Sequence, residues 1–384
     1  MRMTGNWTRK ACAVAALSLA ALAAATAGSG ASAQSVAFIE QVGDNNQASI
    51  DQSGGTGSTA SAQFKGSANL LDVTQGGRDN RAVVSVTGSR NGRGDVVGGT
   101  GRTMAFATRT LNAYGVSNGN SGHNGNNGNN GQGNPCGGGN GNGTGNPCNG
   151  NNGNSNGNGN AGDNNNAAPL TSTLTPLAGL ESGVIRQQGQ RNLAGVLIAG
   201  DSNDFHVSQL GNDNKAAQAL SGSFNQAAIV QGTPDGPTGN GNAAVQAQRG
   251  VGNSAYAHQT GNNSIAVQVQ AGSAGVTQAW AEAALTTAGT LAGAAGNASY
   301  AQSAEAVLAS YSARGAGSGN SITLQQSGDN NTALLGQFGN DNSIALRQPG
   351  NAYAAVTQLG DGHSIGIDQR AGTNGVSPIA VTQY

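Results

Sequence analysis

The stretch Gln41-Val-Gly43-Asp-Asn-Asn46-Gln-Ala48-Ser-Ile50-Asp-Gln52 has the pattern Q-x-G-x-x-N-x-A-x-x-x-Q, and its last glutamine opens the next unit. The unit recurs as Gln75-Gly77-Asn80-Ala82-Val86 and as Gln187-Gly189-Asn192-Ala194-Ile198. From there it runs without a gap through Gly200-Asn203-Gln209, Gly211-Asn214-Ala216-Leu220 and Gly222-Asn225-Ala227-Gln231. It resumes at Gln248-Gly250-Asn253-Ala255-Gln259 and passes Gly261 to reach Gln270. It returns at Gln326-Gly328-Asn331-Ala333-Gln337, continues as Gly339-Asn342-Gln348, and closes with Gln358-Gly360-Gln369 and Gln383. Self-similarity at a fixed period decides the architecture, and here the period is 11 residues.

Within a unit, Asn at +5, Ala at +7, a residue at +9 and Gln at +11 alternate with a second set that is mostly polar or small. The +9 set includes Ile50, Val84, Val196, Val207, Ile229, Leu335 and Ile367; the second set includes Gln47, Ser49 and Asp51. Alternation at period two means a strand with one buried face. The remaining x-G-x-x is a turn, where glycine supplies φ > 0 and Asn or Asp tolerates it. Anchors 187, 198, 209, 220 and 231 read Gln, Ile, Gln, Leu, Gln, so like residues recur every 22 residues. The predicted fold is all-β: a β-solenoid with cross-β character, built from 11-residue half-rungs and 22-residue rungs. Stacked strands would lie about 4.8 Å apart, and alanine at +7 fits a thin two-layer interior.

Inward amides without partners would cost about 1–3 kcal/mol each. Held in register, they can bond up and down the stack as ladders. The expected ladder residues are Gln41, Asn46, Gln52, Gln75, Asn80, Gln187, Asn192, Asn203, Gln209, Asn214, Asn225 and Gln231. Further along they are Gln248, Asn253, Gln259, Gln270, Gln326, Asn331, Gln337, Asn342, Gln348, Gln358, Gln369 and Gln383. The expected turn glycines are Gly43, Gly77, Gly189, Gly200, Gly211, Gly222, Gly250, Gly261, Gly328, Gly339 and Gly360. The residues Ile379-Ala-Val-Thr-Gln-Tyr384 read as strand with no cap, and an uncapped solenoid is expected to add to its neighbour end to end.

Composition agrees with a repeat rather than a globular enzyme. The chain has 384 residues, 65 of them glycine, with 9% charged and 4% aromatic residues. That is too little charge and too few large apolar groups for one broad conventional core. Arg2, Arg9 and Lys10, an apolar run from Ala11 to Ala27 and the Ala31-Ser32-Ala33 site make residues 1–33 a signal peptide. Its removal would leave 14 basic against 18 acidic residues, a balance of −4, with no basic footprint for nucleic acid. No later segment is long and apolar enough to span a bilayer. An exported chain is expected.

Two kinds of insertion interrupt the repeat. Residues 117–168 are almost wholly Gly and Asn and are expected to be disordered, dividing a block at 34–116 from one at 169–384. This tract holds Cys136 and Cys148, a candidate disulfide in an oxidising compartment. Ala-rich tracts near 279–296 and 303–318 read either as short helices or as irregular bulges.

Chemistry-bearing constellations are absent. His123, His206, His258 and His363 lack metal-ligand spacing, and His206 and His258 fall at outward strand positions, which reads as surface. G-x-S-x-G around Ser117 and Ser155 lies in or beside the Gly/Asn tract, without the strand-to-helix turn of a nucleophile elbow. No catalytic residue, metal or cofactor is expected. Asp44, Asp213, Asp329, Asp341 and Asp361 sit in turns beside Asn and Gly, where turn chemistry suffices to account for them; the second reading is that like charges every 22 residues repel and slow stacking.

The Q-x-G-x-x-N-x-A-x-x-x-Q unit resembles the curlin repeat of curli subunits, the extracellular amyloid fibres of bacterial biofilms. The resemblance covers about 36–97 and 184–383, with interruptions. It implies self-assembly into a homopolymer fibre, co-assembly with other curlin-type subunits, and export through a dedicated outer-membrane pore. The alternative is a secreted β-solenoid adhesin that does not polymerise.

Overall fold

The computed structural model describes residues 35–94, 102–114, 171–233, 239–294, 300–370 and 376–384. The chain passes back and forth between two parallel sheets. The first takes, in spatial order, Val36–Val42, Thr59–Lys65, Arg81–Thr87, Leu193–Ala199, Lys215–Ser223, Ala243–Val251, Ile265–Ala271, Thr332–Phe338, Tyr353–Leu359 and Ile379–Gln383. The second takes Gln47–Asp51, Leu70–Arg78, Val184–Gln190, Asp204–Leu210, Gln226–Gln231, Ser254–Gln259, Ser321–Gln326, Ser343–Gln348 and Ser364–Gln369, then Arg109–Tyr114 and Thr171–Leu174. One strand from each sheet makes a rung, as the alternating Gln and Ile/Leu anchors predict.

The register explains the small interior. Ala60, Ala82, Ala194, Ala216, Ala244, Ala266, Ala333 and Ala354 stand in one inward column of the first sheet. Ile185, Val207, Ile229, Leu324, Leu346 and Ile367 face them from the second sheet and are buried. Small residues on one side and branched ones on the other fill a two-layer core without forcing the sheets apart.

Each corner turns on a left-handed residue. Gly200 has φ +137°, and a Cβ built on it would lie 1.9 Å from the Gly222 carbonyl oxygen of the next rung. Only glycine lets the backbones stack this closely. Gly261 lacks a positive φ, yet its Cβ would fall 1.7 Å from Gly328 O. Two residues after the glycine, the chain is left-handed again even at Arg191 (φ 55°) and Phe224 (φ 56°). The fixed corner geometry overrides the residue preference there.

The two expected repeat blocks form one stack. Arg81–Thr87 pairs directly with Leu193–Ala199, and Leu70–Arg78 pairs with Val184–Gln190. The interruption leaves and rejoins within a single rung. Residues 1–33, the 117–168 tract, Cys136, Cys148 and His123 lie outside the described residues.

The Ala-rich tracts are helical, Gln278–Ala294 and Tyr300–Ser310. They lie on the outer face of the first sheet. Ala281, Leu285, Ala288, Ala292 and Val307 cluster with Ala217, Ala219, Val245, Ala247, Val267 and Val269. A Trp280–Tyr311–Phe338 group closes one end, with ring centroids 5.2 to 5.9 Å apart and Arg314 over the indole at 4.1 Å. The outward alanines and valines of these rungs are therefore a second core.

Candidate functional site

The second sheet carries one continuous glutamine column. Gln52, Gln75, Gln187, Gln209, Gln231, Gln259, Gln326, Gln348 and Gln369 are joined Nε2 to Oε1 at 2.7 to 2.9 Å. Each amide's other N–H crosses the interior to a main-chain carbonyl, as Gln209 does to Leu193 O at 2.9 Å. Every donor is used, so the cost of burying the amide is offset. In the first sheet the column is partial: Gln248, Gln270, Gln337, Gln358 and Gln383 are joined at 2.7 to 2.9 Å. The same column reads Phe64, Val86, Ile198 and Leu220 in the rungs before Gln248. Gln41 therefore stands opposite Phe64, outside any ladder within the chain.

Asparagines lock the corners. Asn46, Asn69, Asn91, Asn203, Asn225, Asn253, Asn320 and Asn342 form a column with Nδ2 to Oδ1 distances of 3.0 to 3.1 Å. Each also donates to a turn-glycine carbonyl of the next rung, as Asn203 does to Gly222 at 2.8 Å. The opposite corner uses Asn80, Asn192, Asn214 and Asn242, then Ser264 and Asn331. Asn69, Asn91, Asn242 and Asn320 escaped the sequence reading. For Asn69 and Asn91 the reason is visible: their rungs open on Phe64 and Val86 rather than on glutamine. A further inward column, Gln218, Gln246 and Gln268, was also missed; it replaces the aliphatic +9 residue with amides joined at 2.7 to 2.9 Å.

Two sequence readings are corrected. His206 and His258 are not surface groups: they are 7% and 6% exposed. The segments 102–108 and 175–183 lie over this part of the second sheet, and His206 Nδ1 sits 2.9 Å from Glu181 O. Burial pulls both imidazoles below their ordinary pKa, His258 to about 4. The turn aspartates do not stack as like charges. Asp213 pairs with Arg191 of the neighbouring rung at 2.7 Å, and Asp44 adjoins Ser67. Asp329 and Asp361 accept from the main-chain N–H groups of Asn262 and Asn340 at 2.8 and 2.7 Å.

The ends of the stack differ. At the N-terminal end, Val36–Val42 and Gln47–Asp51 each pair on one side only among the described residues, leaving Phe38 and Ile39 exposed. At the other end, Ile379–Gln383 of the first sheet is likewise an edge. The second sheet is covered there: Ile367, Asp368 and Gln369 pair with Asn112, Ala113 and Tyr114. The expectation of no cap therefore fails for the second sheet. No helix among the described residues is long and apolar enough to cross a membrane.

A two-sheet parallel solenoid locked by internal amide columns is a structural class built for stacking. Residues 182–216 and 317–350 match the model of the curlin associated repeat, each match spanning consecutive strands of both sheets. The chain is a curlin-repeat protein, and that repeat is the unit of curli-type fibre subunits, a structural rather than an enzymatic family. No curated protein matches the chain.

Proposed function

We propose that this chain is a secreted subunit that polymerises end to end into extracellular curli-like amyloid fibres serving adhesion, aggregation and the biofilm matrix. The observation that carries the reading is the unfinished state of the amide columns. Gln383 and Gln41 occupy the same inward column at opposite ends, as do Gln369 and Gln52. Within a column the amide N–H points toward the C-terminal end and the oxygen toward the N-terminal end. A second copy placed on the stack would therefore offer an acceptor to the Gln383 amide. Main-chain pairing at the sheet edges supplies most of the driving force. The likeness of the repeat to that of curli subunits supports export through an outer-membrane pore and co-assembly with other curlin-type subunits.

The test is polymerisation of residues 34–384 freed from denaturant, followed with an amyloid-binding dye and fibre diffraction. The expected result is a lag abolished by seeds and a reflection near 4.7–4.8 Å. A stable β-rich monomer that ignores seeds would sink the fibre reading. It would favour the second one, a solitary secreted adhesin, which the covered edge of the second sheet supports.

A further inference from the structure

Helix Gln278–Ala294 lies on the outer face of the first sheet and leaves a groove at the C-terminal end of the stack. The groove has a volume of about 250 Å³. Glu282, Leu285 and Thr286 of the helix form one wall, and Leu334, Ala355 and Ala380 line the sheet side. Its floor is one outward column of the sheet. Val245, Val267 and Leu334 of that column are buried with the helix, and the column then shrinks to Ala355 and Ala380. The helix still reaches the last strand, where the Thr382 hydroxyl donates to Glu282 at 3.3 Å. Two small side chains beside the helix leave the space open.

Phe38 stands in this same column at the opposite end of the stack. It is 44% exposed, and Val36, Ile39 and Val42 beside it are exposed as well. The two sheets end level: Ile379–Gln383 holds the tenth place of the first, and residues 112–114 hold the tenth place of the second. A second copy seated on 379–383 therefore takes the eleventh place in both. In that seat the residue that follows Ala380 in the column is Phe38, about 4.8 Å away. Ile39 follows Val381 in the interior, and Gln41 follows Gln383. The first sheet holds the open glutamine column. In the second sheet Gln369 turns its amide N–H groups to Tyr353 O and Ser377 O, both at 2.9 Å.

Resting on the fibre reading, we propose that this groove is the seat of Phe38 from a second copy of this chain, so that the helical insertion takes part in the joint beside the repeat. The occupant is a second copy because its first strand brings exposed apolar side chains to columns that end small or exposed, in the register the stacked main chain already sets. Val36 likewise falls in the column of Tyr353, which is 42% exposed at the rim of the groove. The same register puts Glu40 of the second copy next to Thr382 and beside Glu282, a like-charge contact that weakens the joint.

The measurement is the monomer concentration left at the plateau of seeded growth by residues 34–384. Phe38→Ala leaves the groove empty and is expected to raise this concentration about tenfold or more. Ala380→Phe fills the groove from its own chain and should raise it too, because two rings then compete for one space. Combining the two moves the ring from one side of the joint to the other and should recover most of the wild-type value. Glu40→Gln should lower the concentration a few-fold. Phe224→Asn removes an equally exposed ring from a left-handed corner in the middle of the stack, where asparagine is tolerated, and should change nothing. A double variant no better than the worse single, or Phe38→Ala no different from Phe224→Asn, would overturn the groove and leave the fibre reading intact while wild type still seeds. Wild type that never grows from seeds would overturn the fibre reading, and the groove with it.

Discussion

Replacing Gln209 by leucine tests whether the glutamines act as one column or as separate contacts. The side chain is fully buried and accepts from Gln187 at 2.8 Å. It donates to Gln231 at 2.9 Å and to Leu193 O at 2.9 Å. Leucine fills the space and bonds to neither amide. One Gln187 N–H and the Gln231 oxygen are then buried without partners, at about 1–3 kcal/mol each. The expected loss is about 2–6 kcal/mol, reduced somewhat by the better transfer of leucine.

The decisive comparison is the triple variant Gln187→Leu, Gln209→Leu, Gln231→Leu. Interrupting a ladder orphans one donor and one acceptor however long the gap is. In the triple they are a Gln75 N–H and the Gln259 oxygen. The triple adds only the loss of the bonds to Arg81 O and Lys215 O, so it should cost well under three times the single, a strong departure from additivity. The chain already contains such a segment: Phe64, Val86, Ile198 and Leu220 fill four consecutive rungs of the first-sheet column. Guanidinium unfolding of the monomer, followed by far-ultraviolet circular dichroism, gives the three stabilities. A triple variant destabilised about three times as much as the single would refute the column argument.

Gly200→Ala should lose at least about 2 kcal/mol, from strain at positive φ and collision with the next rung. Gly76→Ala, with open space at its Cβ, should stay near wild type by the same denaturation assay. In an end-to-end joint that seats Val36–Val42 on Ile379–Gln383, the Asp44 corner of one copy lies two strand spacings, about 10 Å, from the Asp361 corner of the other, and two exposed carboxylates at that distance repel by about 0.4 kcal/mol in water. Asp361→Asn is expected to speed seeded elongation about twofold at low salt and little at high salt, while Asp213→Asn, which removes the Arg191 partner, should not; equal effects would remove the joint from the explanation. Burial lowers the pKa values of His206 and His258 in the fold, so the unfolded chain binds more protons and stability falls as pH drops from 6.5 toward about 4. His258 alone accounts for roughly 3 kcal/mol across that window at 1.36 kcal/mol per pH unit. His258→Phe should flatten the pH dependence of the unfolding midpoint, and an unchanged slope would contradict the buried-neutral assignment.

Periodicity made the stack legible, because the physics of a solenoid is local and repeated. Every rung must supply a turn glycine and inward residues in the same columns, so Gln187, Gly189 and Asn192 report their own surroundings. What escaped lacks that repetition. Asn69 and Asn91 do the same corner work as Asn46, but their units open on Phe64 and Val86 instead of the glutamine that marks the repeat. The helices left a mark that was not read: outward Ala217, Val245 and Val267 break the polar alternation that an open face requires. The segments 102–114 and 171–183 left almost none, since Leu111 finds Ala345 and Asn112 finds Ile367 from more than 200 positions away.

The same difference separates the two kinds of surface. A column residue is fixed by the rung above and the rung below, so substituting it alone disturbs both. Gly366 and His258 answer instead to a segment that crosses the repeat once. Their rungs would stack as well with any outward residue. A glycine at an outward strand position with ordinary φ, or a histidine buried where the alternation puts solvent, therefore marks a place where something other than the repeat is packed. In this chain both lie under the segments 102–114 and 171–183, which also cover one of the four edges at the stack ends. The repeat supplies the capacity to stack, and the departures from it locate what is packed against the repeat.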